Sequence, residues 1–249
     1  MTTITTVIFD VGLTLLRAQP TFIDVFVSGC AGAGFQLDPS NLDQFRTTFG
    51  DVWRDYSAGW EDAGHPSPHI GDDGAERRFW TGLYARFLDH LGVDDGEGAI
   101  ADAVFERFLS PGSFGPFEDT EPALDDLAAR GVRLGIVSNW GSWLRPLLDE
   151  TSLTDRFGTI VISAEEGIEK PDPAIFERAL IRLGETSGAH VAYVGDDLRH
   201  DITPALALGL TPVLIDRLDL WPEHEGLRVR SLAELPDVLT LPARMAVAQ

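Results

Sequence analysis

The 249-residue chain holds one cysteine, Cys30, and one lysine, Lys170. A single thiol cannot close an internal disulfide, which fits a reducing compartment. Cys30 stands among small residues and reads as packing rather than as a nucleophile. No apolar run approaches the ~18–20 residues of a membrane span, and the N-terminus lacks the charged and apolar stretches of a secretory signal. The expectation is a soluble, cytoplasmic protein. Internal repeats and low-complexity tracts are also lacking. Basic residues are scarce, 19 against 40 acidic ones, for a net charge of −21. Such a surface repels nucleic-acid backbones and anionic bilayers, so neither is expected as a partner. Eighteen of the nineteen basic residues are arginines. The one retained ammonium, at Lys170, marks a place for a compact point charge that a planar guanidinium would not fit.

What is present is an ordinary globular composition, 44 % hydrophobic, long enough for one sizeable core or a core with an insert. A short apolar run at 7–9 predicts a buried strand. Residues 21–109 then read as helices. Phe22, Val25, Phe26 and Gly29 suggest one buried face; Phe45, Phe49, Val52, Trp53 and Tyr56 a second; Phe79, Trp80, Leu83, Tyr84 and Phe87 a third. That aromatic stripe reads as core packing rather than a cofactor box. Between the helices, "AGHPSPHIGDDG" is a loop by its glycines and prolines. His65 and His69 have metal-like spacing, but the prolines at 66 and 68 prevent a helix from presenting them together.

After the break "SPGSFGPFEDTEP", strand and helix alternate. A helix at 123–129 leads to a strand at 132–137, then a helix at 144–149 and a strand at 160–162. A helix at 173–183, a strand at 191–194, a helix at 204–208 and a strand at 212–215 complete the series. This is the rhythm of an α/β, doubly wound (Rossmann-like) parallel sheet with a helical block inserted after its first strand. The expected division is a core of 1–16 and 116–249 around a helical cap of 17–115.

Ligands of such sheets bind beyond the carboxyl ends of the strands. The unusual residues stand there. "VIFDVGLTL" ends its strand at Asp10, "RLGIVSNW" at Ser138 and Asn139, and "HVAYVGDD" at Asp196 and Asp197, with Asp201 further on. Lys170 opens "KPDP" before a helix whose start is marked by prolines. A lone aspartate after a strand is commonly a cap or turn residue. Carboxylates, one hydroxyl and one ammonium at successive strand ends would meet in one crevice.

In this order the residues resemble the haloacid dehalogenase superfamily, over nearly the whole chain. Asp10 with Thr14 resembles its first motif, DxDxT; Ser138 matches the second, Lys170 the third, and Asp196 with Asp201 the acidic fourth. The phrases "VSNW", "EKPDPAIF" and "VGDD" are similar to a phosphatase-like subgroup with a helical cap between its first two motifs. The resemblance implies that Asp10 is a nucleophile forming an aspartyl-phosphate. It implies Mg2+ held by Asp10, the Gly12 carbonyl and Asp196, with Asp201 in support. Thr14, Ser138, Asn139 and Lys170 would bind the phosphoryl group of a small phosphorylated metabolite.

Gly12 departs from that pattern. The family's phosphatases carry there a second aspartate, which protonates the leaving oxygen and later activates water. Its absence removes acid–base help worth typically ~10²–10⁴-fold in rate. His200, in the fourth-motif loop, is the one nearby candidate to replace it. Three readings follow. The first is a hydrolase of the phosphoric monoester type, slow or confined to good leaving groups such as acyl or aryl phosphates. The second is a non-catalytic phosphate-binding or regulatory protein. The third, a haloacid dehalogenase-type hydrolase, fits the acidic fourth motif less well, because the excess negative charge there calls for a cation. A phosphonoacetaldehyde hydrolase would need a cap lysine, and the cap has none. Trp53, Tyr56, Trp60 and Trp80 are candidates to face the crevice, and Trp140 and Trp143 either line the pocket or pack under the cap. Substrate and oligomeric state are not read from the residues.

Overall fold

The computed structural model describes residues 2–65, 67–70 and 73–242. By its contacts the chain divides into two compact units, Met1–Arg17 with Pro116–Gln249, and Ala18–Gly115. In chain order the elements open with β1 (Thr6–Phe9), β2 (Leu16–Ala18) and α1 (Phe22–Gly32). The long helices α2 (Pro39–Asp62), α3 (Asp73–His90) and α4 (Ala99–Leu109) follow, then β3 (Phe114–Pro116) and α5 (Thr120–Ala129). Next come β4 (Arg133–Ser138), α6 (Leu144–Glu150), β5 (Thr159–Ile162), α7 (Ser163–Glu166) and α8 (Pro173–Leu183). The chain closes with β6 (Val191–Gly195), α9 (Thr203–Ala207), β7 (Thr211–Ile215), β8 (Leu227–Val229) and α10 (Leu235–Val238).

Among the described residues the larger unit carries a six-stranded sheet in the order β5-β4-β1-β6-β7-β8. Every pairing in it is parallel. Strands of such a sheet are covered on both faces, which is why β1 is a plain apolar run buried at all four positions. The chain adds strands to one side of β1, then crosses to the other. β1 therefore lies at the switch point, between β4 and β6, where a crevice opens at the carboxyl ends. Phe9 is level with Ile136 of β4 and with Val194 of β6, so the residues that follow these strands emerge side by side.

The helices seal the sheet by period. In α8, Ile175, Phe176, Ala179, Leu180 and Leu183 are buried, one stripe of a 3.6-residue repeat, packed with Val137 and Val161. Asp172 starts this helix by accepting the Ala174 N–H at 2.9 Å, with Pro173 in the first turn. That start fixes the position of Lys170 just ahead of it.

Two expectations need correction. The sheet has a sixth strand, β8, whose three residues are too few to give a periodic signal. The helix expected at 204–208 is preceded by a single wide helical turn, Leu198–Ile202, because the Asp197 side chain accepts the N–H groups of Arg199 and His200 and winds the loop early.

The smaller unit is built from α1 to α4. Its core gathers Phe26, Phe45, Val52, Tyr84, Phe87 and Phe108, with Trp53, Tyr56 and Trp80 packed against it. The aromatic stripe is therefore packing. Cys30 is fully buried in the same core, and burial pushes its thiol up to about 12, so it is inert as a nucleophile. Trp60 lies against the His65 ring, centroids 4.4 Å apart. Of the loop between α2 and α3, Pro66, Gly71 and Asp72 lie outside the described residues. No helix among the described residues is long and apolar enough to cross a membrane.

Candidate active site

Asp10 follows β1 directly, and its own N–H is tied to the Val194 carbonyl at 2.9 Å, which points the side chain into the crevice between β4 and β6. Its Oδ1 is doubly held. Ser138, the last residue of β4, donates its hydroxyl at 3.0 Å, and the Lys170 ammonium donates at 2.7 Å. Lys170 also donates to Asp201 Oδ1 at 2.6 Å. Lys170, Asp10 and Asp201 are all buried, so this is a desolvated cluster and not a surface pair.

Asparagine 139 decides where that lysine stands. Asn139 accepts the Lys170 N–H through Oδ1 at 2.7 Å and donates through Nδ2 to the Lys170 carbonyl at 2.9 Å. Both ends of its amide are thus given to the lysine's backbone. Asn139, expected at the substrate, here holds the Lys170 backbone.

The fourth-motif loop brings two carboxylates to the same place. Gly195 ends β6, and a Cβ there would fall 2.4 Å from Asp201 Cγ, so only glycine lets Asp201 fold back against the strand. Asp201 is then fixed by the Asp197 N–H on Oδ2 at 3.0 Å and by Tyr193, whose hydroxyl lies 3.0 Å from both Asp201 Oδ1 and the Val137 carbonyl. Asp196 is half-buried and makes no hydrogen bond or ion pair among the described residues. Asp10, Asp196 and Asp201 each offer a carboxylate oxygen within 4.8 Å of the others, the one group of three or more possible metal ligands among the described residues. His65 and His69 belong to no such group.

Charge in this cluster is unbalanced, with three carboxylates around one ammonium. Burial, then the neighbouring Asp10 and Asp201 carboxylates, drive Asp196 well above the usual carboxylate range. Asp201 is raised as well, by burial and by Asp10, against the pull of Lys170. Burial opposes the charge on Lys170, yet Asp10 and Asp201 outweigh it and hold the ammonium protonated. A hard divalent cation with oxygen ligands suits this donor set and relieves the repulsion within it, so the residues fit Mg2+.

Around the cluster, His200 is engaged elsewhere. Its Nδ1 lies 3.1 Å from Asp197 Oδ1. Burial opposes ionisation of Asp197, but His200 and two backbone donors hold it down to about 2. Thr14 is fully buried, and its hydroxyl has no hydrogen-bond partner among the described residues. Gly12 does not adopt a positive φ; Leu13, beside it, does, at 54°. What stands over Gly12 is Trp140: a Cβ at position 12 would come within 3.2 Å of its indole Cζ3. Trp140 in turn packs edge-on against Trp143, centroids 5.1 Å apart.

Sequence reasoning passed over Tyr193 and the tie between Asp119 and Arg217. Tyr193 carries a signal in retrospect, as the one polar side chain inside an otherwise apolar buried strand. Arg217 carries none, because its role depends on an approach across 203 residues.

The family model described as haloacid dehalogenase-like hydrolase matches residues 4–209. A "haloacid dehalogenase-like hydrolase domain-containing protein 3" from Danio rerio is 31 % identical over 239 residues, covering 92 % of this chain and 94 % of the relative. A glyceraldehyde 3-phosphate phosphatase from Methanopyrus kandleri is 33 % identical over 157 residues, covering 60 % of this chain and 63 % of its own. Among solved structures, YfnB of Bacillus subtilis, solved bound to magnesium, superposes with a TM-score of 0.71 at 22 % identity, covering 96 % of this chain and 99 % of that one.

Proposed function

The chain belongs to the haloacid dehalogenase-like hydrolases, and we propose that it is a magnesium-dependent phosphatase for a phosphorylated small molecule, with Asp10 as nucleophile. The observation that carries this reading is the grip on Asp10. Its Oδ1 takes two donors, Ser138 and Lys170, while Oδ2 receives none among the described residues and is left to meet a ligand. A carboxylate oriented in this way can attack phosphorus and form an aspartyl-phosphate. Lys170 holds the carboxylate and presents positive charge to the incoming phosphoryl oxygens. Asn139 keeps the lysine's backbone in place. Asp10, Asp196, Asp201 and the Gly12 carbonyl would hold Mg2+, which when bound neutralises charge between two anions that otherwise repel. The phosphatase relative supports a phosphorylated small molecule as substrate class.

A second reading, a phosphate-binding protein without turnover, is favoured by one observation, the absence of a carboxylate at Gly12, against the rim of the Trp140 ring. A panel of phosphorylated metabolites, assayed for phosphate release with and without Mg2+, separates the two. Magnesium-dependent release that is abolished in Asp10→Asn supports the enzyme. Binding of phosphate without release from any substrate favours the second reading. Release of halide from a 2-haloacid would turn the assignment to a dehalogenase.

A further inference from the structure

Lys170 and His200 are already paired, and Asp196 and Asp201 are the carboxylates proposed to hold the cation. The donors on Asp10 are Ser138 and Lys170, and Lys170 is clasped between Asp10 and Asp201 at 2.7 and 2.6 Å. His200 faces Asp197. Position 12, two residues beyond the nucleophile, has no side chain, and the Cζ3 rim of the Trp140 indole points at it, 3.2 Å from where a Cβ would stand. That indole is fixed at its root and its rim. The Trp140 N–H donates to Ser163 Oγ at 2.9 Å, Ser163 Oγ donates to the Trp140 carbonyl at 3.2 Å, and the Ala164 N–H donates to the same carbonyl at 3.3 Å. Trp143 packs edge-on against the ring. The rim of a fixed aromatic ring therefore closes position 12, where an acid would stand.

Building on the phosphatase reading, we propose that this site, with the Trp140 rim closing position 12 to an acid, selects phosphates whose leaving group departs as a stable anion without a proton, that is, aryl, enol or acyl phosphates. In the first step an Asp10 oxygen bonds to phosphorus, the bond from phosphorus to the leaving oxygen breaks, and that oxygen keeps the electron pair with no proton supplied. In the second step water bonds to the phosphorus of the aspartyl-phosphate, the bond to Asp10 breaks, and both water protons leave on the released phosphate. A good leaving group makes the first step independent of an acid, but nothing assists the second. Turnover then waits on the second step, and the enzyme accumulates phosphorylated at Asp10. In this scheme Trp140 keeps position 12 closed to a side chain, and Gly12 is the space that admits its rim.

The test begins with the wild-type protein, rapidly mixed in Mg2+ with p-nitrophenyl phosphate and a series of substituted phenyl phosphates. The expected result is a burst of phenolate approaching one equivalent of enzyme, a burst rate that climbs with leaving-group acidity, and one phosphoryl group found on Asp10 by intact mass after acid quench. Glycerol phosphate should turn over at least ~10²-fold more slowly, the low end of what acid–base assistance supplies. Gly12→Asp should raise glycerol phosphate turnover by up to roughly 10²–10⁴-fold in the Trp140→Ala background, and by much less where the indole still crowds position 12. Equal turnover of alkyl and aryl phosphates overturns the inference alone and leaves the phosphatase reading standing. A folded protein that releases phosphate from no substrate overturns both. The leaving-group series needs no variant, so misfolding of a mutant cannot rescue the proposal.

Discussion

Asp196 is the carboxylate that the rest of the site leaves unserved. Asp10 and Asp201 share Lys170, whereas Asp196 has burial and the Asp10, Asp201 and Asp197 charges against it, only the charge of Lys170 in its favour, and no hydrogen bond or ion pair of its side chain among the described residues. Its pKa is raised in the folded state, so the fold binds a proton there that the unfolded chain has lost. Stability linked to Asp196 is therefore complete below its ordinary 3.8 and falls as pH climbs from there through the raised value. Magnesium should reverse that loss at neutral pH, contributing about 2.7 kcal/mol at a hundredfold excess over Kd. Asp196→Asn should melt higher than wild type at pH 7 without metal, and should no longer respond to Mg2+. Melting curves across pH, with and without the ion, check this; an identical magnesium response in both proteins would remove Asp196 from the metal site. The residues gathered here were legible because each ends a strand or directly follows one, so strand order alone brings Asp10, Ser138 and Asp196 together. The Trp140 rim against Gly12 was not legible, since the approach of a ring to a backbone has no sequence period.

The turn after Asp10 is held from another element. Arg217, just past β7, donates to the carbonyls of Thr14 at 2.7 Å and Leu13 at 3.2 Å, and its guanidinium lies 3.7 Å over the Phe117 ring. Asp119 aims it through two parallel bonds at 2.9 and 3.0 Å, and Ser231 and the Leu232 N–H hold Asp119 in turn. Leu13 sits at φ 54°, where a side chain is strained, so the clamp keeps a turn that its own residues disfavour. Arg217→Ala should cost about 1.5–3 kcal/mol, the range for hydrogen bonds to charged groups. It should also speed amide exchange across residues 11–16. Arg217→Lys should rescue little, because an ammonium cannot fork onto Asp119 and stack on Phe117 together. Denaturant titration and hydrogen exchange read both effects; unchanged exchange in the turn would reduce Arg217 to a surface brace. Elements with a strong period, α8 or the cap helices, were legible for the same physical reason that they fold. The three-residue β8, which joins the sheet through β7, carries no such period.

At the scale of the molecule, an insert of nearly a hundred residues interrupts the sheet unit between its first strand and the rest. The sheet does not depend on it for continuity. The Phe117 N–H donates to the Leu15 carbonyl at 3.1 Å, and Thr120 Oγ1 donates to the same oxygen at 2.8 Å. Just inside the insert, the Gln19 N–H donates to the Ser113 carbonyl at 2.8 Å. Both ends of the insert are therefore already side by side, and a short turn can join them. Closing a short loop there costs little entropy, since the cost grows only as the logarithm of length. Every residue proposed to hold Mg2+ or phosphate lies in Met1–Arg17 or Pro116–Gln249. Replacing residues 20–112 by a flexible linker of about four residues should thus leave a unit that melts cooperatively and still gains stability from Mg2+. Calorimetry with and without the ion decides the matter: a cooperative transition that no longer shifts with Mg2+, while the intact chain's still does, would mean that the metal site needs the insert after all.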